Sequence, residues 1–171
     1  MDIINKINAT RFLGREFLTH LWYASAKNNG QFDVKNGVIE VWLDQRLTLE
    51  GSGDMKETST FKAEAPGETK EAHASLLTGK TVSEARLRVV SGQKQWSATV
   101  KGETLQLGTV KVPTLLSSAD DDRLYERFAL LEELEDLIEG LYSSFIRLRL
   151  DSAAWGVEVD KVRHWVHGVA A

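Results

Sequence analysis

Basic side chains stand at positions where they could meet the phosphates of a nucleic acid. Arg86 and Arg88 alternate with apolar residues, so they project from the polar face of a predicted strand. Lys94 lies at the following turn and Lys101 in the next strand. Phosphate binding needs cationic groups at such spacings. The predicted DNA-binding set is Arg11, Arg15, Arg86, Arg88, Lys94 and Lys101, the first two being four residues apart on one side of a helix.

The same strands also carry Glu40, Asp44 and Glu84, which dilute the positive charge. An ordinary solvated sheet face is therefore the alternative interpretation. Trp42 falls on the polar face of its strand, whereas Trp22 and Trp96 fall on apolar faces and are predicted to be core residues. An exposed tryptophan would mark an interface or a base-stacking surface, so Trp42 is the predicted interface residue. The alternative is that helices cover both faces of that strand, in which case Trp42 would be buried.

Catalytic and metal-binding signals are weak. The chain has no cysteine, which excludes thiol nucleophiles, zinc–thiolate sites and iron–sulfur clusters. No nucleophile elbow, phosphate-binding glycine loop or dinucleotide fingerprint occurs. His164 and His167 share a helix face with Asp160 and could hold a metal, but two histidines alone are a weak signal and a polar helix face is the favoured interpretation. The prediction is a non-enzymatic protein without a cofactor or metal.

Composition indicates a globular protein in one domain over residues 1–171. The chain has 25 acidic and 21 basic side chains, a formal net charge of −4 and 42% hydrophobic residues. No apolar run approaches the roughly 20 residues of a membrane helix, and the first residues do not resemble a signal peptide. We therefore expect a cytoplasmic protein without membrane association.

Hydrophobic periodicity predicts a helix followed by short strands. Apolar residues recur at helical spacing over residues 9–27, which predicts a helix. Apolar and polar residues alternate over residues 38–50, with one break at Gln45, which predicts a strand. Residues 69–78 predict a short helix closed by Gly79. Further strands are predicted over 56–64, around 85–89 and 96–100, and over 104–112. Turn signals every 8–12 residues are typical of an antiparallel meander.

A long amphipathic helix is predicted over residues 119–150, with Ser118 as its N-cap. A shorter helix over 157–167 ends the chain. The predicted class is α+β: an N-terminal helix, an antiparallel β-meander with a short helix inserted, the long amphipathic helix and a short terminal helix. The predicted apolar stripe of the long helix consists of Leu124, Phe128, Leu131, Leu134, Ile138, Leu141, Phe145 and Leu148.

The run from Phe12 to Trp22 (FLGREFLTHLW) resembles a segment of RdgC-like recombination-associated proteins. Further likenesses are Glu71-Ala72 leading to Gly79-Lys80, the run Glu84 to Leu87, and the run Phe145 to Arg149 with Trp155; together they span most of residues 12–155. Members of this family are non-enzymatic, sequence-independent DNA-binding proteins that form ring-shaped dimers around duplex DNA. The resemblance therefore implies DNA binding.

Two functional hypotheses are favoured, ahead of a third, a hydrolase or metalloenzyme that would use His164, His167 and Asp160. The first is a sequence-independent DNA-binding or recombination-associated module, whose partners would be double-stranded DNA and a second copy or a partner subunit. The alternative is a protein-interaction or assembly subunit of a larger complex without nucleic-acid contact. The long helix with its acidic face and the uncertain exposure of Trp42 motivate this alternative.

Overall fold

A computed structural model describes residues 3–52 and 57–170, and the side chains of residues 13–52 and 57–168. The described residues form helices α1 (Ile3–Lys27), α2 (Lys70–Leu77), α3 (Asp120–Leu150) and α4 (Ser152–Ala170). The strands are β1 (Gln31–Val34), β2 (Gly37–Glu50), β3 (Thr58–Lys62), β4 (Thr81–Ser91), β5 (Lys94–Lys101) and β6 (Leu107–Lys111). Within these residues, no helix combines the length and the apolar character needed to cross a membrane.

The strands form one antiparallel sheet in the order β1-β2-β4-β5-β6, and β3 also pairs with β2. The predicted α+β class is confirmed. Because β4 occupies one edge of β2, β1 and β3 share the other edge, at residues 37–40 and 46–50. Residues 41–45 lie in the gap between them, and a cavity opens there. The prediction omitted β1.

The break at Gln45 is a β-bulge. Gln45 has a φ of 58°, and the β2–β4 register shifts between Leu43 and Leu47. Two apolar residues on opposite sides of the bulge therefore still face the core, with exposed fractions of 9% for Leu43 and 0% for Leu47. The break in the alternation indicated this irregularity correctly.

The core lies between one face of the sheet and the helices. Alternate residues of β4 and β5, including Leu87 and Val100, pack against Phe17 and Leu21 of α1. Trp96 is fully buried and donates its indole N–H to the carbonyl oxygen of Leu130 in α3, at 2.9 Å. The predicted core positions of Trp22 and Trp96 are confirmed.

Helix α3 meets the core only beyond its first ten residues. Its buried side chains begin at Leu130 and continue through Leu134 to Phe145. The predicted apolar stripe is therefore only partly buried, since the exposed fractions of Leu124 and Phe128 are 52% and 56%. The predicted cap is wrong: Ala119 occupies the N-cap position, without a side-chain hydrogen bond.

Helix α4 is longer than predicted, with 19 residues, and packs against α2 and α3. Its Trp165 meets Trp22 at a centroid distance of 5.4 Å and an interplanar angle of 89°. His20 of α1 lies 3.1 Å from the carboxylate of Glu158. Burial raises the pKa of Glu158, but hydrogen bonds from His20 and Lys161 outweigh burial and hold this pKa below its usual range.

Candidate nucleic-acid interface

The sheet face turned away from the core is polar, and we call it the polar sheet face. It is formed by the residues of β2, β4, β5 and β6 that alternate with the buried ones. Strand pairing places Trp42 beside Arg88, Arg88 beside Ser97, and Ser97 beside Lys111. These four residues therefore form one row across four strands. Paired strands lie about 4.8 Å apart, so Arg88 and Lys111 start about 10 Å apart.

Three cations of the polar sheet face are available to an anionic ligand. Lys101 and Lys111 are exposed, and Arg88 is half-buried. Within the described part of the chain, none of the three forms an ion pair with a carboxylate. Arg88 shares a cavity wall with Asp44, Glu64 and Glu68, and Lys101 lies opposite Glu84 in the strand register. A cation that is not held in an ion pair can still turn to contact an anion.

Arg86 points to the same side of the sheet but is only 8% exposed. Its guanidinium donates hydrogen bonds to Ser97 Oγ at 2.9 Å, to the Thr109 carbonyl oxygen at 3.3 Å and to Thr99 Oγ1 at 3.5 Å. These bonds tie β4 to β5 and β6. Arg86 thus helps to hold the strands of the sheet together, and little of its surface is left to contact a phosphate.

Replacing Arg86 with alanine should lower the free energy of unfolding by about 1.5–3 kcal/mol, because hydrogen bonds to a charged group are lost. The matched change, Arg88→Ala, removes a half-buried arginine two residues further along β4 on the same face. It should lower the free energy of unfolding by less than about 0.5 kcal/mol. Urea unfolding of both variants measures the difference. Equal, small losses would show that Arg86 does not hold these strands together.

The other predicted cations are dispersed. Arg15 pairs with Glu50 and, at 2.9 Å, with Glu103. Lys94 pairs with Glu133 of α3 at 2.8 Å. The side chain of Arg11 lies outside the described residues. Arg15 lies on α1, which packs against β4, and its side chain passes beside Gly102 in the turn after β5. Its ion pairs with Glu50 and Glu103 separate it from the unpaired cations of the polar sheet face. DNA binding by the predicted set as a whole stays a prediction.

Carboxylates interrupt the polar sheet face. Glu40 accepts a hydrogen bond from the indole N–H of Trp42 at 3.4 Å. Glu84 pairs with Arg46 at 3.6 Å, and Asp44 lines the cavity beside β2. The face is thus of mixed charge, with its free cations on the β4–β6 side. An approaching polyanion would meet that side most favourably.

Trp42 stands at the border between the polar sheet face and the cavity. It is half-buried and packs over Gly30. The cavity has a volume of about 520 Å³, and its wall includes Trp22, Trp165 and His73. The imidazole Nδ1 of His73 contacts the Thr69 carbonyl oxygen at 3.0 Å. The predicted role of Trp42 at an interface stays a prediction.

The histidines near the C-terminus do not gather ligands around them. His164 Nδ1 contacts the Asp160 carbonyl oxygen of its own helix at 2.7 Å, while the Asp160 carboxylate pairs with Arg163. Among the described residues, no three His, Asp or Glu side chains are arranged to hold a metal ion.

Lys111 is the residue that the sequence analysis missed. Its strand was predicted, but its place in the row depends on the register between β5 and β6, which shifts between Ser97 and Thr99. Thr109, with a φ of 47°, lies within this irregular part of β6. Strand alternation alone could not place Lys111 opposite Ser97, because an irregularity changes which face a residue occupies.

No model of a known protein family matches the chain, and no match is found among curated proteins or solved structures. The resemblance to RdgC-like proteins therefore stays a prediction.

Proposed function

We propose that this chain is a non-enzymatic module that binds DNA without reading its sequence, through the polar sheet face. The observation that carries the proposal is the group of unpaired cations Arg88, Lys101 and Lys111 on one side of the sheet. Cations that contact phosphates supply affinity but no sequence information. The resemblance to RdgC-like proteins supports the same function.

The distribution of charge along the chain also supports this proposal. Residues 56–115, which include β3 to β6, carry nine basic and six acidic side chains. Residues 116–151, which include α3, carry four basic and ten acidic ones. Residues 32–55, which include β2, carry two basic and five acidic side chains. DNA would therefore be attracted to the β4–β6 side of the sheet and repelled by β2 and α3.

A salt titration of DNA binding tests the proposal. The probe is a fluorescein-labelled duplex of random sequence, measured by anisotropy from about 50 to about 200 mM salt. The variant Arg88→Gln/Lys101→Gln/Lys111→Gln should weaken binding. It should also reduce the slope of log K against log salt by about 3, one for each lost phosphate contact. A second random duplex should bind equally well.

The control variant is Lys27→Gln/Lys35→Gln/Lys70→Gln, which removes the same charge from exposed lysines outside the polar sheet face. It should keep both affinity and slope nearly unchanged. Equal losses in the two triple variants would mean that only net charge matters. No binding by the unmodified protein at about 50 mM salt, where phosphate contacts are strongest, would rule out the proposal.

A further inference from the structure

An apolar surface lies at the start of α3, away from the polar sheet face. It consists of Leu124, Tyr125 and Phe128 on the helix, and we call it the α3 patch. Their exposed fractions are 52%, 72% and 56%. Single exposed apolar residues are normal, but a group of large ones marks a site where another molecule binds.

Helix geometry makes these side chains neighbours. Leu124 and Phe128 are four residues apart, and Tyr125 and Phe128 are three apart, so the three share one side of the helix. The side that faces the core is marked by Leu130 and Leu134. At 100° per residue, Phe128 lies about 120° around the helix from Leu134. Leu124 lies closer, about 80° from Leu134, but it belongs to the first ten residues of α3, which extend beyond the core. The α3 patch is thus left uncovered by the protein's own core.

The segment before α3 is held in place. The carboxylate of Glu126 accepts hydrogen bonds from the backbone N–H groups of Leu116 and Ser117, at 2.7 and 2.9 Å. Arg123 donates to the Ser117 carbonyl oxygen at 3.2 Å. These backbone hydrogen bonds lower the pKa of Glu126, so it stays charged at neutral pH. Leu116 is therefore held on the Glu126 side of the helix, together with Leu130, and leaves the α3 patch uncovered.

Carboxylates frame the α3 patch. Asp121 lies one turn before Leu124, and Glu132 and Glu135 lie one and two turns after Phe128 on the same side of the helix. All three carboxylates are exposed. The surface is thus apolar in the middle and negative at both ends.

This charge pattern selects the kind of partner. Two copies packing through the patch would bring acidic ends together: in an antiparallel pair Asp121 would approach Glu132 of the other copy, and in a parallel pair each carboxylate would face itself. Like charges at an interface are unfavourable. A positively charged partner instead pairs with both ends.

We propose that the α3 patch binds a cationic amphipathic helix of another protein. Apolar side chains of that helix would cover Leu124, Tyr125 and Phe128, and its lysines or arginines would pair with Asp121, Glu132 and Glu135. Binding of an amphipathic helix along an apolar surface is a common mode of peptide recognition. The site is independent of the proposed DNA-binding surface.

The test uses a fluorescein-labelled amphipathic helical peptide built from leucine and lysine, titrated with the full chain. We expect saturable binding, weakened about tenfold or more by Leu124→Gln/Phe128→Gln, since two buried apolar contacts are lost. The variant Asp121→Asn/Glu132→Gln/Glu135→Gln should weaken binding and reduce its salt dependence. Because these side chains are exposed, the variants should keep the fold, which circular dichroism checks.

Two controls make the result specific. Leu150→Gln/Val157→Gln removes exposed apolar residues elsewhere and should leave binding unchanged. A leucine–glutamate peptide of the same pattern should bind at least about tenfold more weakly, because it meets carboxylates of like charge. Equal binding of both peptides, or equal losses in both double variants, would overturn the proposal. A dimer in analytical ultracentrifugation that Leu124→Gln/Phe128→Gln dissociates would replace it with self-association.

Discussion

The variant Trp96→Ala should lose about 3–5 kcal/mol of the free energy of unfolding, the largest effect that we expect from one substitution. Trp96 is fully buried on the inner face of β5, and its indole N–H donates to the Leu130 carbonyl oxygen of α3. The change leaves a large cavity where α3 first meets the sheet. Urea unfolding, followed by circular dichroism at the helix signal, measures the loss.

The companion variant Trp96→Phe separates ring packing from the hydrogen bond. Phenylalanine retains most of the apolar contact and loses the indole N–H, whose bond is worth about 1 kcal/mol. We therefore expect Trp96→Phe to be clearly more stable than Trp96→Ala. A loss below about 1 kcal/mol for Trp96→Ala would show that α3 does not depend on this contact.

A pair of glycine substitutions should change stability in opposite directions. Both glycines lie in helices, where alanine is favoured over glycine by about 1 kcal/mol. At Gly14 in α1, an added Cβ atom would lie 1.9 Å from the Gly102 carbonyl oxygen in the turn after β5. This contact cannot be kept, and overpacking of this kind typically costs about 1–3 kcal/mol. Gly14→Ala should therefore be less stable than the unmodified protein, despite its better helix propensity.

Gly140 in α3 provides the matched control, because an added Cβ atom there would meet nothing within 4 Å. Gly140→Ala should be more stable by up to about 1 kcal/mol. Thermal and urea unfolding of the two variants tests the close approach of α1 to the turn. Stabilisation by both substitutions would contradict that approach, since only helix propensity would then matter.

Much of the fold could be predicted because the ends of helices and the turns depend on residues that are close together in the sequence. Thr69 caps α2 by accepting a hydrogen bond from the backbone N–H of Ala72, and Gly79, with a φ of 85°, follows the end of this helix. Both residue types are favoured there for reasons that need no tertiary contact. Strand β1 was missed, although Phe32 and Val34 alternate with polar residues before the turn at Lys35-Asn36.

The candidate site was harder to predict because it depends on distant partners. Arg15 and Arg86 looked alike as surface cations, yet Arg15 pairs with residues 35 and 88 positions away. The Arg86 side chain extends across the polar sheet face and donates hydrogen bonds to residues of β5 and β6. An arginine side chain is long enough to reach several neighbours, and strand register decides which of them it meets.

Periodicity likewise showed that α3 has an apolar side but not which part of it is covered. A helix of 31 residues is about 46 Å long, and its first ten residues extend beyond the buried core. Leu124 and Phe128 belong to the same pattern as Leu134, but only Leu134 is buried.

The amino-acid sequence was sufficient for the α+β class, the positions of the main helices and the break in alternation at Gln45, because these depend on hydrophobic spacing and turn residues close together in the chain. Only the tertiary structure decided which cations stay unpaired and which apolar side chains stay exposed. Both properties depend on contacts between residues far apart in the chain, and those contacts exist only once the sheet register and the packing of the helices are established.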